Sequence, residues 1–484
     1  MEERTIAELQ RDLGSGAVTA ERLVRAYLRR IRAYDTTLNS MVSMNAAAVT
    51  QAVALDRERR SGRVRGPLHG IPVILKDNYD TADMPTSAGS ILLRNSVPPR
   101  DATVTKRLRD AGAVILGKAN MSEWAIFIST DSSVTGQTRN PYGLEHNPGG
   151  SSGGTGAAIA ASFAAVGLGS DTSGSIRIPS AYNGLVGLRP TKGLTSIGGV
   201  VPLCPTQDVV GPMGRTAADV AVVMDVIAGF RDERDPATAI ALSGRPGNGF
   251  VRQLSTSSLE GQRIGLATSM FRAAAAPSGD REVDTMLATV QANLRRLGAT
   301  LVEVPEVDEL ESLAADTVLF EFEESLNTYL RSLGPERRLR DFDQALVSNT
   351  AVFYAQSRMM ASKVSPGTGS AAYRQIMRRR AAVRQKVLGL YRAHDVSALL
   401  YPTTQTPPPP IPEERLTRSH TADVAPVCGL PAVSIPGGLT RDGLPLGFDL
   451  MGTSMSDARL LSYAHAYQHH FPLRRVPRFA PALD

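Results

Sequence analysis

Cysteine is scarce in this chain, and its scarcity excludes several classes of protein. Cys204 and Cys428 are the only two cysteines among 484 residues. Two thiols cannot build the disulfide framework of a small secreted protein, and neither lies in a CxxC or other metal-ligand spacing. We therefore expect no disulfide scaffold and no cysteine-held metal, and a reducing, cytoplasmic setting.

Long apolar runs are also missing. No stretch of about 18 or more apolar residues, the length that a membrane-spanning helix needs, occurs in the sequence. The N-terminal segment 1–16 is polar and helical in character and lacks the apolar centre of a signal peptide. The sequence therefore predicts neither a membrane span nor a signal peptide.

Aromatic residues make up only 5% of the chain, whereas the net charge is +6. A basic balance favours nucleic-acid binding slightly. However, the most basic cluster, Arg378 to Arg380, lies where apolar residues recur at helical spacing. We interpret this cluster as the solvated face of a helix and expect no nucleic-acid partner.

The remaining composition, with 42% hydrophobic residues, is that of a globular protein. Short apolar runs between glycines alternate with helical patterns, which favours an α/β sheet covered on both faces. No internal repeat is visible, and we predict a single domain over 1–484. Its four parts are N-terminal helices (1–65), an α/β core (66–230), a variable and mostly helical region (231–395) and a C-terminal part of the core (396–484).

Individual elements can be placed within this outline. Thr19 is a predicted N-cap, because Leu23, Tyr27, Ile31 and Tyr34 follow it at helical spacing. Further helices are predicted over Asp101–Ala111, Ala157–Phe163 and Asp457–His470, and a mobile loop over Ser362–Ser370. Strands are predicted over Ile71–Leu75, Ala113–Leu116, Ala164–Leu168, Ala398–Tyr401, Ala432–Ile435 and Gly447–Met451.

Two small-residue turns carry the candidate chemistry. The first places Ser151 and Ser152 between two pairs of glycines, so its backbone can adopt conformations that other residues avoid. The second runs from Asp171 to Ser175 and precedes an apolar segment. Backbone N–H groups in such a turn can converge on an oxyanion, and a serine at its end would hold its hydroxyl beside them.

Lys76 is the candidate base. It follows the apolar run IPVIL directly, so we expect its stem to be buried at the end of a strand. Burial disfavours the ammonium and lowers a lysine pKa from its usual value of about 10.4. A neutral lysine can then accept a proton near neutral pH.

These segments resemble the amidase signature family. The likeness rests on PVILKDN around Lys76, GGSSGG around Ser151 and DTSGSIRIPSAYNGLVGLRPT around Ser175, in the family's order and spacing. It continues in GKANMSE, QDVVGPMGR and GLPAVSIPGG and covers most of the chain except roughly 230–400. The resemblance implies the fold of that family, a large mixed central sheet with helices on both faces and a mostly helical insertion.

The resemblance also implies a serine–serine–lysine triad. Ser175 would be the nucleophile that forms an acyl-enzyme, and Ser151, after a cis peptide bond, would relay the proton to Lys76. The oxyanion hole would consist of the backbone amides of Thr172, Ser173, Gly174 and Ser175, supported by Ser152 and Asp171. Two positions depart from the family, since Ser173 replaces a frequent glycine and Pro426 a frequent asparagine. A side chain at Ser173 would narrow the rim of the hole.

An alternative hypothesis starts from the same glycines. Residues 149–153 fit G-x-S-x-G, the nucleophile elbow of α/β hydrolases, which would make the chain an esterase with a Ser-His-Asp triad centred on Ser151. The available histidines are His420, His465, His469 and His470. Against this alternative, a turn-rich loop and not a strand precedes the serine.

Other residues receive structural interpretations or stay open. The C-terminal histidines lack an HExxH pattern, and no GK[ST] follows the glycines, so we expect no metal and no cofactor. Asp77 and Asp208 are interpreted as turn formers. Trp124 and Phe127 either line a substrate pocket or fill the core.

Substrate choice is not encoded in the signature itself. We favour a free-standing hydrolase of a small or hydrophobic amide, with carbamates (urethanes) as a second substrate class. The competing hypothesis is the glutamine-hydrolysing component of a tRNA-dependent amidotransferase, which works only within a complex. QDVVGPMGR and the DPATA stretch (235–239) favour the free-standing enzyme, and a homodimer is an assembly that the sequence leaves open.

Overall fold

A mixed sheet of eleven strands organises the part of the chain that the computed structural model describes, residues 2–256, 258–267, 281–307, 317–412 and 420–483. The strands are β1 (Met41–Met44), β2 (Pro72–Lys76), β3 (Val114–Ala119), β4 (Val166–Asp171), β5 (Val186–Arg189), β6 (Val209–Gly214), β7 (Arg263–Leu266), β8 (Thr300–Glu303), β9 (Ala398–Pro402), β10 (Ala432–Leu439) and β11 (Pro445–Met451). Their spatial order is β1-β3-β2-β4-β6-β5-β10-β11-β9-β7-β8. β2 pairs in parallel with β3 and β4, whereas β4, β5, β10 and β11 have antiparallel neighbours. The mixed α/β architecture is therefore confirmed.

Helices connect these strands. They are α1 (Ile6–Ser15), α2 (Ala20–Leu38), α3 (Ala48–Arg60), α4 (Thr103–Asp110), α5 (Gly153–Ala160), α6 (Arg177–Tyr182), α7 (Ala217–Ile227), α8 (Ala241–Gly244), α9 (Arg281–Arg296), α10 (Val318–Ser332), α11 (Phe342–Ser348), α12 (Phe353–Lys363), α13 (Ala371–Ala393), α14 (Val424–Cys428) and α15 (Asp457–His470). In the described ranges, none of them combines the length and the apolar character that crossing a bilayer requires.

The centre of the sheet is covered on both faces. Every residue of β2, β4 and β6 is buried. Since successive side chains of a strand point to opposite faces, apolar elements must cover each side. α5 packs against β2 and β4, and α7 packs against β5 and β6. The ends of these central strands are therefore the places where the fold can hold polar groups in a dry environment.

The N-terminal helix α2 begins as predicted. The Thr19 hydroxyl accepts a hydrogen bond from the Arg22 N–H at 3.1 Å. Such a cap stabilises a helix by about 1 kcal/mol. Leu23, Tyr27 and Ile31 are buried on one face of the helix. The 3.6-residue periodicity of the sequence is thus reproduced in the packing.

The small-residue helix α5 begins earlier than predicted and ends sooner. It occupies Gly153–Ala160, whereas the sequence favoured Ala157–Phe163. Glycines are poor helix formers, but this helix is buried over its whole length. A Cβ at Gly154 would collide with the backbone carbonyl oxygen of Asn120. Close packing therefore selects glycine in the first turn, which starts directly after Ser152.

The variable region contributes more than helices. β7 and β8 extend the sheet beyond β9, with parallel pairing on both sides of β7. Sequence patterns predicted no strand there, because runs of four residues give little periodicity. The predicted mobile loop at 362–370 overlaps the end of α12, and the described loop proper lies between α12 and α13.

The interpretation of the arginine cluster on α13 as a solvated face is wrong for one of its members. Arg378 and Arg379 are exposed. Arg380 is only 6% exposed. Its guanidinium is enclosed by polar partners, the side chains of Gln207 and Thr317. A buried arginine with such partners satisfies its donors inside the protein, which a periodicity argument cannot detect.

Candidate active site

The site lies where two parallel strands end side by side. Lys76 is the last residue of β2, and Asp171 is the last residue of β4. The two strands are hydrogen-bonded neighbours in parallel register, with Leu75 beside Leu168. The turn that follows β4 and carries Ser175 therefore starts at the same edge of the sheet as Lys76.

Lys76 and Ser151 are in direct contact. The Lys76 ammonium nitrogen, Nζ, lies 2.7 Å from Ser151 Oγ and 2.9 Å from Ser170 Oγ. The side chains of Lys76 and Ser151 have no solvent exposure. Asn78 Nδ2 donates to Ser170 Oγ at 3.0 Å and so fixes that hydroxyl. The peptide bond between Gly150 and Ser151 is cis.

Burial changes the proton affinity of this lysine. Loss of hydration lowers the pKa of Lys76 from 10.5 to about 7, although the negative charges of Asp208 and Asp171 act in the opposite direction. A substantial fraction of the amine is therefore neutral at neutral pH. A neutral amine at hydrogen-bonding distance can accept the proton of the Ser151 hydroxyl.

Ser152 belongs to the support of the site. Its hydroxyl donates to the Ser170 carbonyl oxygen at 3.2 Å and accepts from the Ser170 N–H at 3.3 Å. It also precedes the first residue of α5. Ser152 thus ties the first serine turn to the end of β4, whereas the hydrogen bonds described for Lys76 go to Ser151 and Ser170.

Asp171 holds the second serine turn together. Its carboxylate accepts from the N–H groups of Gly174 at 2.9 Å and Ile176 at 3.2 Å. It also forms buried ion pairs with Arg177 at 3.2 Å and Arg189 at 2.9 Å. Burial alone would raise the pKa of Asp171, but the two guanidinium groups outweigh it and hold this pKa well below the usual range. The carboxylate is therefore ionised and keeps the turn in place.

Gly174 has a role in the turn that its sequence position did not reveal. Its φ angle is +99°, and a Cβ there would lie 2.7 Å from that of Ala422. Because its N–H donates to Asp171, this amide is committed to the turn and not to the oxyanion hole. The Gly174 amide is unavailable to an oxyanion because the Asp171 carboxylate already accepts its hydrogen. The amides of Thr172, Ser173 and Ser175 remain the candidate oxyanion donors.

Asp208 and Asp77 have the structural roles expected of them. Thr172 Oγ1 donates to Asp208 Oδ1 at 2.5 Å, and the N–H of Cys204 donates to Asp208 Oδ2 at 2.9 Å. Asp77 accepts a hydrogen bond from the Ser87 hydroxyl. Both carboxylates are buried and organise turns around the site.

Ser175 opens onto a cavity of about 440 Å³. Apolar side chains form most of its wall, and the turn that follows β4 forms part of it. The lining residues are Ala125, Ile126, Phe127, Ile128, Thr172, Ser173, Ser175, Ile178, Leu203, Val318, Phe353, Tyr354, Ser357, Arg358, Ala361 and Asp423. The site thus joins a polar, buried proton-accepting group to a mainly apolar chamber.

One aromatic pair bridges two walls of the cavity. The rings of Phe127 and Tyr354 stack with centroids 4.5 Å apart. Glu123 Oε2 accepts from the N–H of Val352 at 3.0 Å, which ties the start of α12 to the loop that carries Phe127. Trp124 lies in the core with 1% exposure and is not part of the cavity wall. Of the two open aromatic positions, Phe127 is therefore the one at the cavity.

Sequence reasoning missed Tyr354 and Phe353. Both lie at the start of α12, within the stretch that the family likeness does not cover. Phe353 is 75% exposed although it reaches the cavity. The only local signal in the sequence was that two aromatic residues, Phe353 and Tyr354, are adjacent.

The geometry around Ser151 does not match a nucleophile elbow. The residues that precede it, 141–150, form turns and loop in the structure, whereas an elbow follows a strand. Among the described side chains, which do not include that of His420, no histidine is hydrogen-bonded to Ser151. His465, His469 and His470 lie on α15. Within the described residues, no group of acidic residues, histidines and cysteines could hold a metal ion.

Comparison with known proteins points to one family. The family model described as Amidase matches residues 22–461. A probable amidase of Arabidopsis thaliana is 33% identical over 99% of this chain and 92% of its own length. A glutamyl-tRNA(Gln) amidotransferase subunit of Pseudomonas aeruginosa is 36% identical over 96% of each chain.

A solved structure shows the same fold. The peptide amidase of Stenotrophomonas maltophilia superposes with a TM-score of 0.89 at 37% identity, covering 99% of both chains. The similarity therefore extends through the variable region as well as the signature. Both hydrolases and one component of an amidotransferase occur among these relatives, so the family alone does not select the substrate.

Proposed function

Since the chain belongs to the amidase family, we propose that it is a free-standing serine hydrolase that cleaves the C–N bond of a small or hydrophobic amide. The observation that carries the proposal is the buried contact between Lys76 Nζ and Ser151 Oγ, 2.7 Å long, beside the turn of Ser175. A lysine whose pKa is lowered to about 7 by burial is a base suited to neutral pH.

The proposed reaction proceeds through an acyl-enzyme. Ser175 Oγ attacks the acyl carbon while its proton passes to Ser151 and the Ser151 proton passes to Lys76. The carbonyl oxygen becomes an oxyanion that the remaining turn amides can stabilise. The proton then returns through Ser151 to the amine as the C–N bond breaks. Water repeats the sequence on the ester, which releases the acid and restores Ser175.

The cavity supports an apolar substrate. Part of the wall is formed by Phe127, Ile128 and Tyr354. A charged substrate group would lose its hydration beside this wall, which is unfavourable. Its volume, about 440 Å³, suits an aryl or alkyl group of moderate size. A carbamate has the same carbonyl with one more heteroatom, so Ser175 could attack it by the same route. Carbamates are therefore the second substrate class within this proposal.

Glutamine hydrolysis within an amidotransferase is the competing function. The similarity to the amidotransferase subunit of Pseudomonas aeruginosa, at 36% identity over 96% of both chains, supports this function. The similarity to a peptide amidase, at 37% identity over 99%, supports the free-standing enzyme equally. The mainly apolar cavity favours the hydrolase. We therefore place glutamine among the substrates to be tested.

A four-substrate assay tests the proposal. Release of 4-nitroaniline from 4-nitroacetanilide and from ethyl N-(4-nitrophenyl)carbamate isolates the acyl group, because both give the same chromophore. Ammonia release from glutamine and from phenylalaninamide covers the two classes of relative. The Ser175→Ala variant serves as the blank.

We expect 4-nitroacetanilide and phenylalaninamide to react at least about tenfold faster than glutamine. We also expect 4-nitroacetanilide to react faster than the carbamate. A carbamate rate equal to or above the acetanilide rate would make the chain a urethane hydrolase. Preference for glutamine would contradict the proposal. If none of the four reacts while Ser175 is still labelled by a fluorophosphonate, the substrate class is wrong.

A further inference from the structure

We propose that Arg380 is a positioning residue, which acts through the Gln207 side chain to aim the backbone N–H of Ser173 at the oxyanion. Arg380 lies on α13, far along the chain from the signature segments. The inference rests on the proposed function, since it assigns a role in the same oxyanion turn.

The Arg380 side chain is built into the protein. It is buried, and its Nη1 donates to Gln207 Oε1 and, at 2.8 Å, to Thr317 Oγ1. Thr317 Oγ1 in turn donates to Gln207 Oε1 at 3.3 Å. The buried guanidinium therefore has a defined orientation, and Gln207 is its nearest acceptor toward the site.

Arg380 determines which end of the Gln207 amide faces the catalytic turn. A guanidinium has donors and no acceptor, so only the oxygen of the amide can face it. The NH₂ end must then point to the opposite side. There Gln207 Nε2 donates to the carbonyl oxygen of Thr172 at 3.2 Å. Without Arg380, the flipped amide would present oxygen to oxygen, and this contact would become repulsive.

The Thr172 carbonyl is part of the peptide group that carries the Ser173 N–H. In a planar trans peptide, the C=O and N–H bonds point in opposite directions. A donor that holds the carbonyl from one side therefore fixes the N–H toward the other. Ser173 and Ser175 both line the cavity that, under the proposed function, receives the substrate carbonyl. The Gln207 hydrogen bond thus sets the direction of one oxyanion donor.

Asp208 and Arg189 hold other parts of this segment, so their roles differ from that of Arg380. Asp208 accepts from the Thr172 hydroxyl at 2.5 Å, which fixes the side chain. Arg189 Nη2 donates to the Gln207 backbone oxygen at 2.8 Å and so fixes the main chain of Gln207. The orientation of the Gln207 amide is what remains, and Arg380 supplies it from the variable region.

The test compares Gln207→Glu, Arg380→Met and Arg380→Lys with the control Arg379→Met, which changes the exposed neighbour of Arg380. A glutamate at 207 can still pair with Arg380 but cannot donate to the Thr172 oxygen, so packing is preserved while the donor is lost. We expect kcat on 4-nitroacetanilide to fall about 10- to 100-fold in Gln207→Glu and Arg380→Met with KM changed less than about twofold, since one oxyanion donor is typically worth 10²–10³ in kcat. Arg380→Lys, which can still donate to Gln207, should recover part of the loss, and Arg379→Met should match the parent.

A second readout does not depend on the substrate. A fluorophosphonate places its P=O oxygen where the oxyanion forms, so its rate of labelling at Ser175 should fall in parallel with kcat, at unchanged melting temperature in Gln207→Glu. Equal labelling rates in Gln207→Glu and the parent would overturn the inference while leaving the proposed function intact. So would a rise in KM at constant kcat. Activity that survives Ser175→Ala would overturn both.

Discussion

Lys76 Nζ lies 2.7 Å from Ser151 Oγ, and the two side chains meet at the end of β2 without access to solvent. A lysine in such a place is unusual, because burial removes the hydration that stabilises its charge. The fold accepts this cost at the carboxyl edge of its central strands, where Ser170 supplies a second hydrogen-bond partner at 2.9 Å. We therefore expect this pair to govern both the pH dependence of activity and part of the stability of the protein.

Activity should rise with pH through the neutral range. Because burial lowers the pKa of Lys76 to about 7, kcat/KM should increase about tenfold per unit below that pH and level off above about 8. A pH–rate profile from 6 to 9 measures this.

Asp80 is the necessary control for that profile. Burial raises its pKa to about 7 as well, and it accepts a hydrogen bond from Tyr329 Oη at 2.7 Å. The Asp80→Asn variant should keep the pH dependence of the parent. A profile that is flat in the parent, or that becomes flat in Asp80→Asn, would argue against Lys76 as the titrating base.

Lys76→Met should be inactive but more stable than the parent at pH 7. The folded pKa, about 7, lies below the unfolded value near 10.5, so between these pH values the unfolded chain binds the extra proton. Stability of the parent therefore rises with pH across this window and is constant, with respect to this group, below it. The gap corresponds to roughly 5 kcal/mol, from which the loss of two serine contacts must be subtracted.

Melting temperatures of the two proteins from pH 6 to 10 test this sign. The advantage of Lys76→Met should be largest at pH 7 and below and should shrink toward pH 10. An advantage that grows with pH would contradict the lowered pKa.

The two adjacent serines should separate by role. Ser151→Ala removes the proposed proton relay and should lower kcat by about 10²–10⁴-fold. Its lost contact with Lys76 should cost about 1 kcal/mol of stability. Ser152→Ala removes hydrogen bonds to the backbone of Ser170 and should cost about 1 kcal/mol of stability while keeping most of the activity. Kinetics and thermal melts of both variants measure the difference. The reverse pattern would assign the relay to Ser152.

Tyr354→Ala should change substrate size preference. Its ring stacks on Phe127 with centroids 4.5 Å apart in the wall of the cavity, so truncation opens space for a larger acyl group. We expect the rate ratio of a long-chain acyl 4-nitroanilide to 4-nitroacetanilide to rise about tenfold, in line with the 1–3 kcal/mol that one apolar contact is worth in specificity. Val347→Ala, at an exposed position outside the cavity, is the control and should not change the ratio.

The sequence was informative where chemistry restricts residue type. Ser151 and Lys76 stand out because glycines flank one and an apolar strand precedes the other, and the structure brings both together. The sheet was also predictable, since β2 follows Gly70 as an apolar run that ends at Lys76, and the first residues of β4 continue the apolar run that begins at Ala164. Local patterns and a family likeness therefore sufficed for the architecture and for the contact between Lys76 and Ser151.

Contacts between distant segments were not predictable in this way. Arg380 reads as a surface residue in its own helix, and only the tertiary fold brings it to Gln207. Tyr354 is likewise assigned to the cavity by its partner on another loop, Phe127. The same holds for β7, which is a strand because it pairs with β8 and β9. The roles of such residues depend on long-range packing, and a single sequence does not show which distant residues are in contact.

We propose that Ser175, and not Ser151, becomes acylated, and the position of a covalent adduct distinguishes the two serines. The protein is incubated with a 4-nitrophenyl carbamate that acylates quickly and is released slowly, digested, and sequenced by tandem mass spectrometry. We expect one adduct, on Ser175, with formation slowed at least about tenfold in Lys76→Met and abolished in Ser175→Ala. An adduct on Ser151, or one that forms as fast without Lys76, would contradict it.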